Sequence, residues 1–262
     1  MHDIYIVSLE RAGRRETIAR QLAAFGLRYQ FCDAVDAQQL SPEHIVAVHD
    51  ATATHLRYGR GLTDGEVACF LSHRAVWNRI VSSGRPGIVL EDDALLMPGF
   101  ARLLRALDDH DEARLPDVLL LGRSKLVRRR RWSVAFYEPL RNVVRIAGFS
   151  IGAPFKLWTS GAVGYRLTPA AAARMVQACS HRMTALLDDW PYHAMAAPVR
   201  VAEIRPYVVW EDYERISSSL EPERQRLSGA RGRGWRAVVL PPLRVGRALV
   251  RWLWVLSLRM VG

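Results

Sequence analysis

Cysteine is scarce in this chain: Cys32, Cys69 and Cys179 are odd in number, widely spaced and in no ligand-like pattern. Such usage fits reduced thiols in a cytosolic compartment and argues against a disulfide scaffold or a zinc site. Long apolar runs are missing too. No stretch reaches the roughly 18 apolar residues a spanning helix needs, so no simple transmembrane helix is expected. No secretory leader is expected: Ile4-Tyr5-Ile6-Val7 is too short for its apolar core, Asp3 replaces the basic segment, and no A-x-A site follows. There is no G-x-G-x-x-G and no Walker A pattern, which argues against a dinucleotide or P-loop site. No internal repeat is evident, and neither is a helix-turn-helix, RRM or zinc-finger pattern.

Basic charge, by contrast, is in excess. The 262 residues carry a formal net charge of +11, and half of them are hydrophobic, enough for a sizeable core. That sign points to an anionic partner: nucleic acid, an anionic membrane or a phosphorylated substrate. The distribution is uneven. From Glu221 onward nine arginines stand against two glutamates, so +7 falls in the last 42 residues and +4 in the first 220. The division expected is an α/β domain over 1–220 and a basic amphipathic tail over 221–262.

The chain opens as strand, helix, strand. Ile4 to Leu9 is apolar enough for a central strand, Ile18, Leu22 and Phe25 follow at helical spacing with Gly26 as C-cap, and Tyr29 to Ala34 is the second strand. This βαβ opening predicts a parallel sheet covered by helices. Arg11, Arg14 and Arg15 near the helix start can meet a nucleotide's phosphates or ribose, or form a solvated basic face. Ser41-Pro42-Glu43 starts a short helix, and Arg57 to Gly61 reads as a loop. Thr63 with Glu66 fits a capping box at the head of a helix running to Ile80, with Val67, Phe70, Leu71, Val76 and Ile80 for its buried side. His73 inside that helix reads on spacing as a core histidine. Further along, Pro98 to Leu107 reads as a helix, Asp117 to Gly122 as a strand, and Lys125 to Arg131 as an exposed basic loop. Val134–Tyr137 and Val143–Ile146 read as hairpin or edge strands. Ser160 to Tyr165 is a small-residue strand on which something packs closely. Thr168-Pro169 starts an alanine-rich helix, and Val199 to Val209 holds one or two strands.

The chemistry centres on Gly87-Ile88-Val89-Leu90-Glu91-Asp92-Asp93. A short buried strand runs into three consecutive carboxylates, which unpartnered burial would make prohibitively costly. They are therefore expected at the strand's exposed C-terminal end, where open α/β sheets bind ligands. Strand alternation puts Glu91 and Asp93 on one side and Asp92 on the other. Glu91 and Asp93 can hold a hard divalent cation that also grips a diphosphate; alternatively, the triplet is a strand end of solvated acids. Asp188 and Asp189 form a second pair. A cation neutralises charge on a departing diphosphate, while a carboxylate within reach of an acceptor hydroxyl takes its proton. Together the pairs fit group transfer from a nucleotide diphosphate donor to an alcohol, although one of Asp188 and Asp189 can equally cap the next helix.

These segments resemble glycosyltransferase family 25. Ile6-Val7-Ser8-Leu9 with Arg15 is similar to the family's opening, and Phe31-Cys32-Asp33-Ala34 to its second strand. Glu66-Val67-Ala68-Cys69-Phe70-Leu71-Ser72-His73-Arg74-Ala75-Val76-Trp77 resembles its Glu-x-x-Cys-x-x-Ser-His-x-x-x-Trp helix, and Val89-Leu90-Glu91-Asp92-Asp93 its acidic motif. Ser160 to Tyr165 is similar to its Gly-Thr-x-Gly-Tyr stretch, with Ala162 where Thr is common, and Leu187-Asp188-Asp189-Trp190 to its late Val-Asp motif. The matches are collinear across roughly residues 3 to 220. The resemblance implies a GT-A-type Rossmann-like fold, a UDP-sugar donor, Mn2+ (or Mg2+) and inversion at the anomeric carbon. It implies Glu91 and Asp93 as metal residues, with Glu91, Asp92, Ser8 and Arg15 at the donor. Asp188 is the preferred general base, Asp189 the alternative, and Glu66, Ser72 and His73 shape the site without a chemical step.

In the tail, Pro241-Pro242 is expected to stop a helix and a new one to start near Leu243. Arg244, Arg247, Arg251 and Arg259 fall within roughly 120° of one another, beside Leu249, Leu253, Trp254, Leu256 and Met260. Such a helix suits an anionic membrane interface; its alternative is docking on the domain with arginines outward. The expected protein is a hexosyltransferase, most simply a galactosyltransferase, working from UDP-hexose onto a lipooligosaccharide, lipopolysaccharide or other glycan acceptor. It is expected to be cytoplasmic, peripheral on the inner membrane, with no nucleic-acid partner. The rivals are a metal-dependent nucleotidyltransferase or phosphohydrolase and a basic nucleic-acid-binding protein.

Overall fold

A computed structural model of the chain describes residues 1–10, 13–124, 126, 131–155, 161–212 and 236–260. Arg11, most of the Lys125–Arg131 run, Ser160 and the stretch from 213 to 235 lie outside the described residues.

The opening is as expected. Strand β1 (Asp3–Ser8) leads through helix α1 (Arg14–Ala24) to strand β2 (Gln30–Asp33), parallel to β1. Gly26 takes φ +66° just beyond α1, in the left-handed region where glycine is least strained. Helix α2 (Pro42–Val48) is capped by Ser41, and α3 (Ala51–Tyr58) by Asp50. The sequence reading places Arg57 in a loop; it belongs instead to the last turn of α3, which ends at the left-handed Gly59. Helix α4 (Asp64–Ser83) carries the expected capping box. Strand β3 (Gly87–Glu91) pairs in parallel with β1, and β4 (Ala94–Leu96) follows after a two-residue turn, leading to α5 (Phe100–Asp108).

The second half contains β5 (Val118–Leu120), α6 (Arg131–Tyr137), β6 (Leu140–Ile146), β7 (Phe149–Pro154), β8 (Gly164–Leu167), α7 (Pro169–Ala178), α8 (Trp190–Ala196), β9 (Val201–Arg205) and β10 (Val209–Glu211). Val134–Tyr137, read as strand, is helical. Val134 and Tyr137 are half-buried at i and i+3 while Ser133, Ala135 and Phe136 are exposed, a helical rather than an alternating pattern.

Among the described residues the main sheet has eight strands in the order β2-β1-β3-β8-β5-β9-β7-β6. The parallel sheet expected from the opening is corrected to a mixed one: β8 runs antiparallel to both β3 and β5, and β7 is antiparallel to β6 and β9. Strand β8 lies between β3 and β5, so parallel pairing is confined to the β2–β1–β3 flank and the β5–β9 pair. Side-chain alternation divides the core into two layers. Ile4, Ile6, Ile88 and Leu90 join Leu22 of α1 and the α5 leucines on one face. Tyr5, Val7 and Val89 join Val67, Phe70, Trp77 and Ile80 of α4, together with α7 residues, on the other. Each such fully buried large apolar side chain contributes about 1.5–3 kcal/mol relative to exposure.

The close approach expected near Gly164 is present, since a Cβ there would stand 2.9 Å from Val209 Cγ1. At the C-terminus a helix spans Arg236–Met260. It runs through Pro241-Pro242 rather than stopping there, so the expected helix start near Leu243 is corrected to Arg236. Among the described residues no helix is long and apolar enough to cross a membrane.

Candidate active site

Parallel pairing fixes where the acidic motif ends up. Val7 is level with Glu91 and Ser8 with Asp33, so β1, β2 and β3 present their C-terminal ends on one edge. A cleft of about 480 Å³ opens there, lined by Ser8, Arg14, Glu66, Ser72, His73, Glu91, Asp92, Asp93, Asp188 and Glu211 among others. Its size suits a small-molecule ligand.

The acidic triplet is built differently from the alternation expected. Strand β3 ends at Glu91, and Asp92 and Asp93 occupy the turn into β4. Alternation therefore stops at Glu91, and all three carboxylates line the same cleft. Asp92 is tied down: Ser8 Oγ donates to Oδ2 at 2.7 Å and Arg14 Nη1 lies 3.5 Å from Oδ1. Asp93 is half-buried, and its Oδ1, shut off from solvent, makes no hydrogen bond. Burial, reinforced by Glu91, Glu211 and Asp92, pushes its carboxyl up to about 8. Glu211 reaches the cleft from β10, whose antiparallel pairing aligns Glu211 with Ala94, one residue beyond the triplet. Sequence reading missed Glu211, because only the β4–β10 pairing brings it to the triplet.

Crowded acids around an orphaned buried oxygen fit a hard divalent cation, which takes carboxylate oxygens and would relieve the charge. A second potential ligand group, Cys69, His73 and Glu91, keeps one donor atom from each residue within 4.8 Å of the others.

The remaining expected site residues separate. Arg15 does not line the cleft: its guanidinium donates to the Ser8 carbonyl at 3.0 Å, pairs with Asp33 and lies over the Phe31 ring. Arg14, one position earlier, does line it. Glu66 accepts two hydrogen bonds from Arg60, at 2.7 and 2.8 Å, and one from the Thr63 amide, so it fixes the head of α4. Ser72 accepts from the Val35 amide at 2.9 Å and donates to the Ala68 carbonyl, tying the segment after β2 to α4. His73 is fully buried, and burial lowers it to about 3, so the ring is neutral.

Asp188 and Asp189 have different surroundings. Asp188 lines the cleft, and its Oδ2 accepts from the Gly161 amide at 2.9 Å. Gly161 sits at φ +110°, and a Cβ there would meet Ser124 Oγ at 2.0 Å, so glycine is required where the chain holds Asp188. Asp189 is wholly buried, caps α8 through the Tyr192 amide, and accepts from Arg57 Nε and from Tyr58 at 2.7 Å. Burial works to raise its carboxyl, but the bonds from Arg57, Tyr58 and Tyr192 outweigh it and hold it low. Asp189 thus pins α3 to α8, and the part played by Arg57 and Tyr58 was hidden by their reading as a loop.

The C-terminal helix packs against α6. Arg251 Nη1 donates to the Tyr137 carbonyl and Trp252 Nε1 to the Phe136 carbonyl, both at 2.9 Å, and Ala248 and Val255 are buried. Leu249, Val250, Leu253 and Leu256 remain exposed, as do Arg244 and Arg247. Arg251 therefore serves the domain instead of an outward stripe, and the Arg259 side chain lies outside the description.

The family model for glycosyltransferase family 25 (LPS biosynthesis protein) matches residues 1–189. The chain is 26% identical over 223 residues to procollagen galactosyltransferase 2 of Homo sapiens, covering 82% of this chain and 34% of that protein. It is 30% identical over 195 residues to inactive glycosyltransferase 25 family member 3 of Homo sapiens, covering 72% and 31%. A glycosyltransferase 25 family member of Aedes aegypti matches at 29% over 184 residues, covering 66% and 28%. The chain spans about a third of the length of these curated relatives. The matched segment holds the Ser-His helix, the acidic turn and Asp188 in one stretch: the chain belongs to glycosyltransferase family 25.

Proposed function

We propose that this chain is a metal-dependent, inverting transferase of GT-A type. It moves a hexose, most simply galactose, from a UDP-sugar to a lipooligosaccharide, lipopolysaccharide or related glycan acceptor. The observation that carries the reading is a single cleft flanked by the acidic turn at β3 and by Asp188. The galactosyltransferase name of one relative and the lipopolysaccharide description of the family support donor and acceptor class. Another relative is named inactive, so activity is argued from the carboxylates rather than from similarity.

In this reading Glu91 and Asp93, with Glu211 beside them, hold Mn2+ or Mg2+. The bound ion supplies charge neutralisation for the departing diphosphate. Ser8 and Arg14 hold Asp92 toward the donor. Asp188, oriented by the Gly161 amide, takes the proton of the acceptor hydroxyl as it attacks the anomeric carbon from the face opposite the diphosphate. Asp189 lacks a free role as base, since Arg57 and Tyr58 occupy it.

The C-terminal helix is proposed to rest on the cytoplasmic face of an anionic membrane, where lipid-linked acceptors are found. Leu249, Val250, Leu253 and Leu256 would enter the interface, and exposed Arg244 and Arg247 would add about 1 kcal/mol each.

The test incubates the protein with a panel of UDP-hexoses, Mn2+ and truncated lipooligosaccharide, followed by mass spectrometry. A glycosylated product is expected with one donor. UDP release without product would instead favour a phosphohydrolase. Removing residues 236–260 is expected to release the protein from anionic vesicles.

A further inference from the structure

His73 is fully buried, lines the cleft, and leaves its Nε2 without a hydrogen bond. Its other nitrogen, Nδ1, lies 2.9 Å from the hydroxyl of Tyr165, which is itself fully buried. The same hydroxyl accepts from Trp77 Nε1 at 2.8 Å. An indole nitrogen only donates, so the Tyr165 oxygen is the acceptor of that bond. The tyrosine proton then needs an acceptor of its own, and among the described hydrogen bonds His73 Nδ1 is the one available. A neutral imidazole that accepts at Nδ1 carries its proton on Nε2. The opposite arrangement would make the Tyr165 oxygen accept twice and strand its hydroxyl proton in the core, an unpaired buried donor that the fold avoids.

We propose that the Trp77–Tyr165 relay locks His73 as a neutral Nε2–H donor, and that His73 is a positioning residue for the Glu91 carboxylate. The geometry is nearly complete: Nε2 stands 3.6 Å from Glu91 Oε1, about 0.4 Å beyond hydrogen-bond range. A carboxylate that grips a cation needs its own orientation fixed, and a buried N–H does this without adding charge. The tautomer also decides against the rival use of the same atoms. A soft-metal site of Cys69, His73 and Glu91 needs a lone pair on Nε2, and the relay places a proton there. The inference rests on the reading of Glu91 as a cation and diphosphate residue.

Two measurements test it. In protein labelled with 15N in the histidine rings, two-bond correlation spectra at neutral pH are expected to show His73 with a pyrrole-like Nε2 and a pyridine-like Nδ1; the reverse pattern overturns the relay. Separately, Mn2+ alone is titrated into the full chain and followed by electron paramagnetic resonance. His73→Leu is expected to weaken binding about 10- to 100-fold, and His73→Gln, whose amide can reach as a donor, to recover part of it. Unchanged affinity in a folded His73→Leu protein overturns the positioning role. If that variant does not fold, His73→Gln decides, since it should bind Mn2+ within about tenfold of the parent if an N–H donor is what Glu91 needs. An unaltered protein that fails to bind Mn2+ removes the cation reading itself, and with it the carboxylate role that His73 would support. A thiolate-to-metal absorption band on adding Co2+, lost in Cys69→Ser, would establish the soft-metal site and overturn the proposal.

Discussion

Two sets of carboxylates flank one cleft, and the chain treats them in opposite ways. Asp189 is wholly buried yet fully served, with a guanidinium, a phenol and a backbone amide donating to it. Asp93 is half-buried, and its solvent-excluded Oδ1 is served by nothing, while Glu91, Asp92 and Glu211 crowd it. A satisfied buried acid is a structural pin. An unsatisfied one among like charges is a cost to the fold, tolerated where a ligand supplies the missing positive charge. Asp188 stands between these extremes, held by the Gly161 amide and placed on the cleft.

The sharpest way to break the contrast is at turnover. Asp93→Ala is expected to abolish metal-dependent transfer, and Asp188→Asn to lower kcat about 10²- to 10⁴-fold with little change in donor binding. Steady-state kinetics check both, and near-normal activity in either would sink its role. A smaller effect, on stability, is expected at Asp189. Replacing it with Asn strands Arg57 and should cost roughly 3 kcal/mol, seen as a lower midpoint in urea. If Asp189→Asn instead spares stability and removes activity, the two neighbours exchange roles.

The third effect has the opposite sign. Asp93 titrates near 8 when folded, against an ordinary value of 3.8. Between those values the folded protein binds the extra proton, so this group's contribution to stability falls as pH rises through the window. Asp93→Asn removes that burden and is expected to gain about 1–3 kcal/mol at pH 7 without metal, a few degrees in Tm. Mn2+ should raise the Tm of the parent more at pH 8 than at pH 6, because the ion competes with a proton, and leave the variant unmoved. Calorimetry at the two pH values with and without Mn2+ decides it. The smallest change belongs to Glu211→Gln, which should lower the Asp93 titration and weaken Mn2+ binding without abolishing it.

Much of this arrangement was legible beforehand because it is local. The capping box at Thr63 and Glu66, the apolar run of β3 and the triplet at its end follow from propensity, periodicity and the cost of burying charge. The family resemblance likewise lies in contiguous motifs. What failed were readings that extended a local rule past its element. Alternation was carried from β3 into a turn, and parallel pairing from the first βαβ unit to the whole sheet. The pattern of residues 134–137 reads as hairpin or edge strand, although the half-buried positions are helical.

The sequence by itself determined the composition of the site: an acidic strand end, a Ser-His helix, a later Asp pair and a basic tail, each readable from neighbours in the chain. Tertiary structure alone decided which acids share a surface. The β4–β10 pairing brings Glu211 beside Asp93, and Arg57 and Tyr58 reach Asp189 across more than 130 residues. Whether a carboxylate is a pin or a ligand depends on the donors around it, and those donors come from distant parts of the chain.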